Sequence, residues 1–202
     1  MLISFHIKHI FGCFIFFCVF FDSTNFTACV VFAFLYTTRL SYLGLGDILV
    51  LVFFGLVPVA ATYFLQVFPH TQNASDSITW EAILAGAVVG LVTDNLLIVN
   101  NFRDRDQDKI SGKITLIVRI GATSAQRLYL GIGILAAASC LLFVCGGHML
   151  AALLPLLYLV PHFATWKKMV SIWQGRQLNT VLGATARNIM IFGLLLAVGF
   201  LF

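Results

Sequence analysis

Long apolar runs separated by short polar stretches dominate this chain of 202 residues. Several runs approach the roughly 20 apolar residues that a helix needs to cross a bilayer. The pattern predicts an all-α fold, a polytopic membrane helical bundle with about seven spans, at residues 9–21, 26–36, 47–68, 80–100, 128–145, 150–166 and 186–202. The first two runs are short and only residues 22–25 divide them, so six spans with one interrupted helix is the alternative.

Composition and loop charge agree with this prediction. Only 10% of the residues are charged and 60% are apolar, whereas a soluble domain carries about 25% charged residues. Lys and Arg are absent from residues 67–79 and 146–148, but six occur in 101–127 and four in 167–187. By the positive-inside rule, this alternation predicts a multi-pass protein of the cell inner membrane whose N-terminus and basic loops are cytoplasmic.

The charged segment at residues 100–121 has the composition of a metal-binding site. If the helix at 80–100 continues at about 100° per residue, Asp104 and Asp108 share one face. Asn101 and Asp94 fall on the same side within roughly 80°, while Asp106 points away. Two carboxylates and an amide oxygen suit Mg²⁺, which completes its shell with water and phosphate oxygens.

Cations follow these acids. Ser111-Gly112-Lys113 is a turn signal that carries a positive charge, and Arg119 comes next, so the segment predicts a metal-bridged diphosphate site at the membrane surface. The alternative is a loop charged only for solubility and topology. Asp94 differs, because a central acid in an apolar run costs roughly 2.5 to 3.5 kcal/mol on an insertion scale. We expect it in a polar cavity wall, with a structural hydrogen bond to a neighbouring helix as the alternative.

Histidine and cysteine are not expected to bind metal here. The five cysteines lie inside apolar runs without CxxC or Cys/His spacing, so we expect them to be buried as small hydrophobic side chains. The histidines lack metal-ligand spacing and most lie near span ends, where we expect interfacial packing: His6, His9, His70, His148 and His162.

Three stretches resemble one family. NNFRDRDQDKISGKITLIVRIG at residues 100–121 resembles the second Asp-rich motif of the UbiA-type intramembrane prenyltransferases. It is closest to the NNxRDxxxDxxxGKxTLxVRxG form of the 1,4-dihydroxy-2-naphthoate polyprenyltransferases of menaquinone synthesis. YLGLGDILVLVFFGLVPVAATYFLQ at 42–66 is similar to the GLGE and FFG segment of that subfamily. LNTVLGATARNIMIFGLLLAVG at 178–199 is similar to the last helix of the family.

The resemblance implies a reaction and roles for individual residues. A polyprenyl group would pass from polyprenyl diphosphate to 1,4-dihydroxy-2-naphthoate with loss of CO₂, giving demethylmenaquinone, and no nucleic acid would take part. Asp104 and Asp108 would hold Mg²⁺ with help from Asn101, and Tyr36 would face the allylic cation. Four basic residues would neutralise the diphosphate: Arg103, Lys113, Arg119 and Arg39.

The chain also departs from the family pattern. Members have nine helices and an earlier NDxxDxxxD motif, which residues 1–25 do not match. We therefore expect residues 1–202 to form a single transmembrane domain equivalent to the third to ninth helices of the family, lacking the first two. On this basis the chain alone is expected to be inactive or very weak. Two other functions stay open: prenyl transfer to another aromatic acceptor such as 4-hydroxybenzoate, and a small transporter with Asp94 on an ion pathway.

Overall fold

The computed structural model describes residues 45–71 and 78–202, which are helical almost throughout. Short non-α segments interrupt the helices: a π-helical turn at Val52–Leu56 and 3₁₀ segments at Cys140–Gly146 and Leu154–Tyr158. The α-helices in chain order are α1 Gly46–Leu51, α2 Val57–Thr71, α3 Trp80–Ile110, α4 Leu116–Ile120, α5 Ala122–Ser139, α6 Met149–Leu153, α7 Leu159–Ile172 and α8 Leu178–Leu201.

Five helical stretches in the described ranges are long and apolar enough to cross a membrane: Gly46–Val67, Trp80–Ile110, Ala122–Gly146, Met149–Ile172 and Leu178–Leu201. They correspond to the last five predicted spans and confirm a polytopic helical membrane bundle. The predicted spans at 9–21 and 26–36 lie outside the described residues.

Helix α3 is longer than its predicted span. Its 31 residues extend about 46 Å at 1.5 Å per residue, against about 30 Å for the hydrocarbon core of a bilayer. The charged residues of its last third follow Asn100 without a break in the helix. The apolar part can therefore cross the membrane while the charged end projects beyond it.

The two ends of the bundle differ in charge. The charged end of α3 contacts the connector between α7 and α8 and the start of α8. Arg103 donates a hydrogen bond to Asn179 on α8, and Asp106 accepts one from Gln174 in the connector. At the opposite end, the Trp80 ring stacks on Phe143, and the His148 ring lies against Phe200. The basic connectors thus share one end of the described bundle, as the alternation of loop charge predicts.

A buried polar network ties α5, α7 and α8 together. The fully buried His162 ring stacks between Tyr129 and Tyr158, with centroid distances of 4.7 and 5.0 Å. Its Nε2 lies 3.4 Å from the Leu130 carbonyl, which can only accept, so Nε2–H donates and Nδ1 accepts from Tyr158 at 2.9 Å. The expectation that His162 packs at the membrane interface is therefore wrong.

Gly133 makes room for this ring, and we expect its replacement to destabilise the bundle. A Cβ at Gly133 would lie 2.6 Å from His162 Cδ2, whereas one at Gly131 would meet nothing within 4 Å. Since the ring is held by two hydrogen bonds and two stacked neighbours, Gly133→Ala should lower the free energy of unfolding by about 2 kcal/mol.

Titration with SDS in mixed micelles, followed by circular dichroism, measures this loss. The matched control is Gly131→Ala, which should be neutral or gain up to about 1 kcal/mol from helix propensity. Equal unfolding midpoints for the two variants would contradict the packing role of Gly133.

Candidate active site at the charged end of helix α3

A stripe of buried polar side chains runs along one face of α3. Asp94, Asn101 and Asp108 are spaced by seven residues and are 4%, 5% and 8% exposed. Seven residues are close to two turns of an α-helix, so these side chains project in nearly the same direction. Asp106 is exposed instead. The helix is unbroken from Trp80 to Ile110, as the predicted face requires.

The turn after α3 brings a lysine back onto this face. The helix stops at Ser111, and Gly112 has a φ of 74°, a left-handed conformation that glycine adopts without cost. The Lys113 amide N–H then donates to the Asp108 carbonyl at 2.9 Å. The Lys113 ammonium lies 3.5 Å from Asp108 Oδ1. The predicted turn therefore places a cation against one of the two predicted metal-binding acids.

Asp104 also lies close to basic side chains. Its two carboxylate oxygens accept hydrogen bonds from Arg103 at 2.7 Å each. These bonds, followed by the charges of Arg103 and Lys113, hold the pKa of Asp104 below its ordinary value. Asp104 therefore stays ionised at neutral pH, as a metal ligand must.

The Arg103 guanidinium makes four hydrogen bonds to protein side chains. Besides Asp104, it donates to the Asn100 side chain at 2.9 Å through Nη2 and to the Asn179 side chain at 2.9 Å through Nη1. The expected contact of Arg103 with a diphosphate stays a prediction.

The connector between α7 and α8 packs against the same helix end. The Arg105 guanidinium lies over the Phe102 ring at 4.4 Å and the Trp173 ring at 5.6 Å, and Trp173 packs edge-on against Phe102. Gln174 donates to Asp106 at 2.8 Å. These contacts hold the charged end of α3 through Phe102, Arg105 and Asp106.

Asp94 lies deeper along the stripe. Its buried Oδ1 has no hydrogen-bond partner, and the same holds for Oδ1 of Asp47 on α1. The structure thus offers no hydrogen bond from a neighbouring helix to Asp94 Oδ1. Its place in a cavity wall stays a prediction.

The donor set at the end of α3 fits Mg²⁺. This ion prefers oxygen ligands and usually takes only one or two carboxylates, with water and phosphate oxygens completing the shell. Asp104, Asp108 and Asn101 supply such oxygens, and Asp108 Oδ2 is buried without a hydrogen-bond partner. In residues 45–71 and 78–202, no three His, Cys, Asp or Glu side chains cluster around a possible metal position. A cation here would therefore depend on water and phosphate for its remaining ligands.

The other predicted site residues fall in different places. Arg119 is exposed in the last turn of α4, and Tyr36 and Arg39 lie outside the described residues. Sequence reasoning missed the partners that the α7–α8 connector and the start of α8 bring to α3, above all Gln174 and Asn179. The only sequence signal for these contacts is the polar composition of residues 173–179 between two apolar helices. It does not specify which side chains meet.

Comparison with known proteins decides the family. The model of the UbiA prenyltransferase family matches residues 10–186. This chain belongs to that family. No solved structure matches it significantly.

Curated relatives of this UbiA family member include two bacterial enzymes. The chain is 46% identical over 101 residues to the 1,4-dihydroxy-2-naphthoate octaprenyltransferase of Haemophilus influenzae, covering 50% of this chain and 30% of the relative. It is 41% identical over 88 residues to the enzyme of the same name from Escherichia coli, covering 44% and 26%.

A longer match is to the UbiA prenyltransferase domain-containing protein 1 homolog of Drosophila melanogaster, 30% identical over 169 residues, or 82% of this chain and 44% of the relative. The matched segments thus span less than half the length of each of these relatives.

Proposed function

We propose that this UbiA family member supplies the diphosphate-binding acids of an intramembrane prenyltransferase that transfers a polyprenyl group to 1,4-dihydroxy-2-naphthoate. The observation that carries the proposal is the buried carboxylate of Asp108, which has one oxygen without a partner and lies beside Lys113. The names of the bacterial relatives support the naphthoate acceptor.

The residues of this chain would act mainly by stabilising the negative charge of the diphosphate leaving group. Mg²⁺ held by Asp104 and Asp108, with help from Asn101, would supply Lewis-acid stabilisation of the diphosphate leaving group. As the allylic C–O bond breaks, negative charge grows on the diphosphate oxygens, and the Lys113 ammonium offsets part of it.

The acceptor would complete the reaction inside the membrane. The apolar spans that flank the stripe keep water from the allylic cation. The electron-rich naphthoate ring then forms the new C–C bond as the diphosphate departs, and a proton takes the place of the carboxylate, which leaves as CO₂. The product is demethylmenaquinol, the hydroquinone form of demethylmenaquinone. Arg39 and Arg119 would contact the diphosphate, and Tyr36 the cation.

The proposal also includes the orientation of the protein in the membrane. The acidic face and the basic connectors share one end of the bundle, and the positive-inside rule assigns such an end to the cytoplasm. We therefore place the site at the cytoplasmic surface of the cell inner membrane, with the N-terminus on the same side.

A chimera tests the proposed function. Residues 80–202 of this chain replace the corresponding residues of the H. influenzae enzyme, and the purified protein receives Mg²⁺, a polyprenyl diphosphate and 1,4-dihydroxy-2-naphthoate. We expect CO₂ and demethylmenaquinol, which air oxidises to demethylmenaquinone during work-up, formed only when the divalent cation is present. The unmodified H. influenzae enzyme is the positive control.

Other outcomes separate the alternatives. A folded chimera that forms no prenylated product would contradict the proposal. Preference for 4-hydroxybenzoate would assign a different aromatic acceptor. Ion flux in proteoliposomes of this chain without any prenyl substrate would favour a transporter in which Asp94 lies on the ion pathway.

A further inference from the structure

Arg103 and Asp104 form a pair that the helix itself does not favour. Adjacent residues on an α-helix point about 100° apart and do not face each other. Nevertheless, Arg103 Nε and Nη2 donate to the two oxygens of Asp104 at 2.7 Å each. The guanidinium must bend over the helix surface to do this, so other groups have to hold it there.

Two asparagines hold the guanidinium in that position. Asn100, one turn back on α3, accepts from Nη2 at 2.9 Å, and Asn179 in the first turn of α8 accepts from Nη1 at 2.9 Å. Asn100 belongs to the same helix, whereas Asn179 comes from a helix 76 residues further along the chain. Asn179 therefore fixes Arg103 relative to the rest of the bundle.

This arrangement determines where the Asp104 carboxylate points. A guanidinium is planar and rigid, so two parallel hydrogen bonds fix both the position and the plane of the carboxylate. Each carboxylate oxygen accepts in about two directions, which leaves capacity for a cation after Arg103 is bound. Outer partners of this kind typically change metal affinity or activity by 10- to 100-fold.

We propose that Asn179 is a positioning residue that, through Arg103, orients the Asp104 carboxylate to bind a divalent cation. The inference rests on the metal-binding part of the proposed function. In this arrangement Arg103 acts by holding Asp104. Asn179, which lies outside the Asp-rich motif, acts by holding Arg103.

Mn²⁺ binding to the 202-residue chain tests the inference without any reaction. Free Mn²⁺ is measured by electron paramagnetic resonance in detergent, with no prenyl substrate. Asn179→Leu keeps the size of the side chain but cannot accept a hydrogen bond, so we expect Mn²⁺ to bind about tenfold more weakly. Asn179→Gln restores the amide oxygen and should bring the affinity back to within about threefold of the wild type.

The matched control is Gln174→Leu. It removes another amide hydrogen bond between the same connector region and the end of α3, at Asp106, but does not touch Arg103. We expect wild-type Mn²⁺ affinity for this variant. Thermal unfolding without divalent cations should be the same for Asn179→Leu and Gln174→Leu, which separates positioning from general loosening of the contact.

Three results would overturn the inference: wild-type affinity in Asn179→Leu, an equal loss in Gln174→Leu, or no Mn²⁺ binding by the wild-type chain. Failure of the proposed function looks different. In that case Asn179→Leu still weakens Mn²⁺ binding, but the folded chimera transfers no prenyl group.

Discussion

Asp108→Asn should lower prenyl transfer by about 1,000-fold in the chimera described above. The substitution keeps the shape of the side chain and removes its charge. It therefore takes away one of the two carboxylates proposed to hold Mg²⁺ and leaves the Lys113 ammonium, now 3.5 Å from Oδ1, without its counter-ion. Initial rates at saturating polyprenyl diphosphate, measured over a range of Mg²⁺ concentrations, show the loss.

Asp104→Asn should have an effect of similar size, because its carboxylate is the other proposed ligand. The control is Asp106→Asn on the same turn of α3. Asp106 is exposed, points away from the acidic face and bonds only Gln174 among the described residues, so its loss should change the rate by less than about threefold. Comparable rates for the Asp108 and Asp106 variants would remove Asp108 from the site.

Mn²⁺ binding by the 202-residue chain separates metal binding from chemistry. We expect Asp108→Asn to lose most of the bound Mn²⁺ seen with the wild type. A variant that binds Mn²⁺ normally but transfers no prenyl group would show that Asp108 acts on the substrate and not on the metal.

The acidic face could be predicted from the sequence because it depends on a single regular helix. Once α3 continues unbroken to Ile110, the rotation per residue places Asp94, Asn101, Asp104 and Asp108 on one side without knowledge of any other element. The Lys113 turn is also local, since a glycine between two polar residues permits the left-handed conformation that brings the lysine back.

The partners of that face could not be predicted in the same way. The contact of Arg103 with Asn179 joins residues 76 positions apart, and no periodicity in either helix specifies which side chains meet. His162 is a similar case. Its position near a predicted span end suggested the membrane interface, but Tyr129 and Tyr158 enclose it because the packing of α5 on α7 leaves a gap at Gly133.

Glycines also permit a close contact between helices, and here the sequence does carry a signal. Gly86 and Gly90 on α3 have the GxxxG spacing that lets membrane helices approach closely. The end of α1 and the π-helical turn at Val52–Leu56 fill this groove with backbone, so that a Cβ on Gly90 would lie 2.7 Å from the Leu51 carbonyl oxygen and one on Gly86 would lie 2.9 Å from the Leu56 Cα. The first described span therefore meets α3 backbone against backbone.

Gly55→Ala should consequently be among the most destabilising single substitutions in the described bundle. Gly55 is buried, and a Cβ there would lie 2.5 Å from the Gly86 carbonyl oxygen and 2.6 Å from the Gly90 nitrogen. These are backbone atoms that cannot rotate away, so the two helices would have to separate. We expect a loss of about 3 kcal/mol in the free energy of unfolding, after allowing for the better helix propensity of alanine.

SDS titration of the 202-residue chain measures this effect. Side chains of increasing size at residue 55 test whether steric overlap is the cause. Gly55→Val should lose more stability than Gly55→Ala, because its two additional methyl groups require a wider separation of the helices. The control is Gly193→Ala on α8, where a Cβ would meet nothing within 4 Å and only the propensity gain of up to about 1 kcal/mol is expected.

Gly55→Ala also tests what holds the first described span against α3, the helix that carries the candidate site. Gly55 lies in the span whose first helix carries Asp47, and it packs against α3, which carries Asp94. If Gly55→Ala unfolded at the same SDS concentration as Gly193→Ala, the backbone contact could not be what holds the first described span on α3.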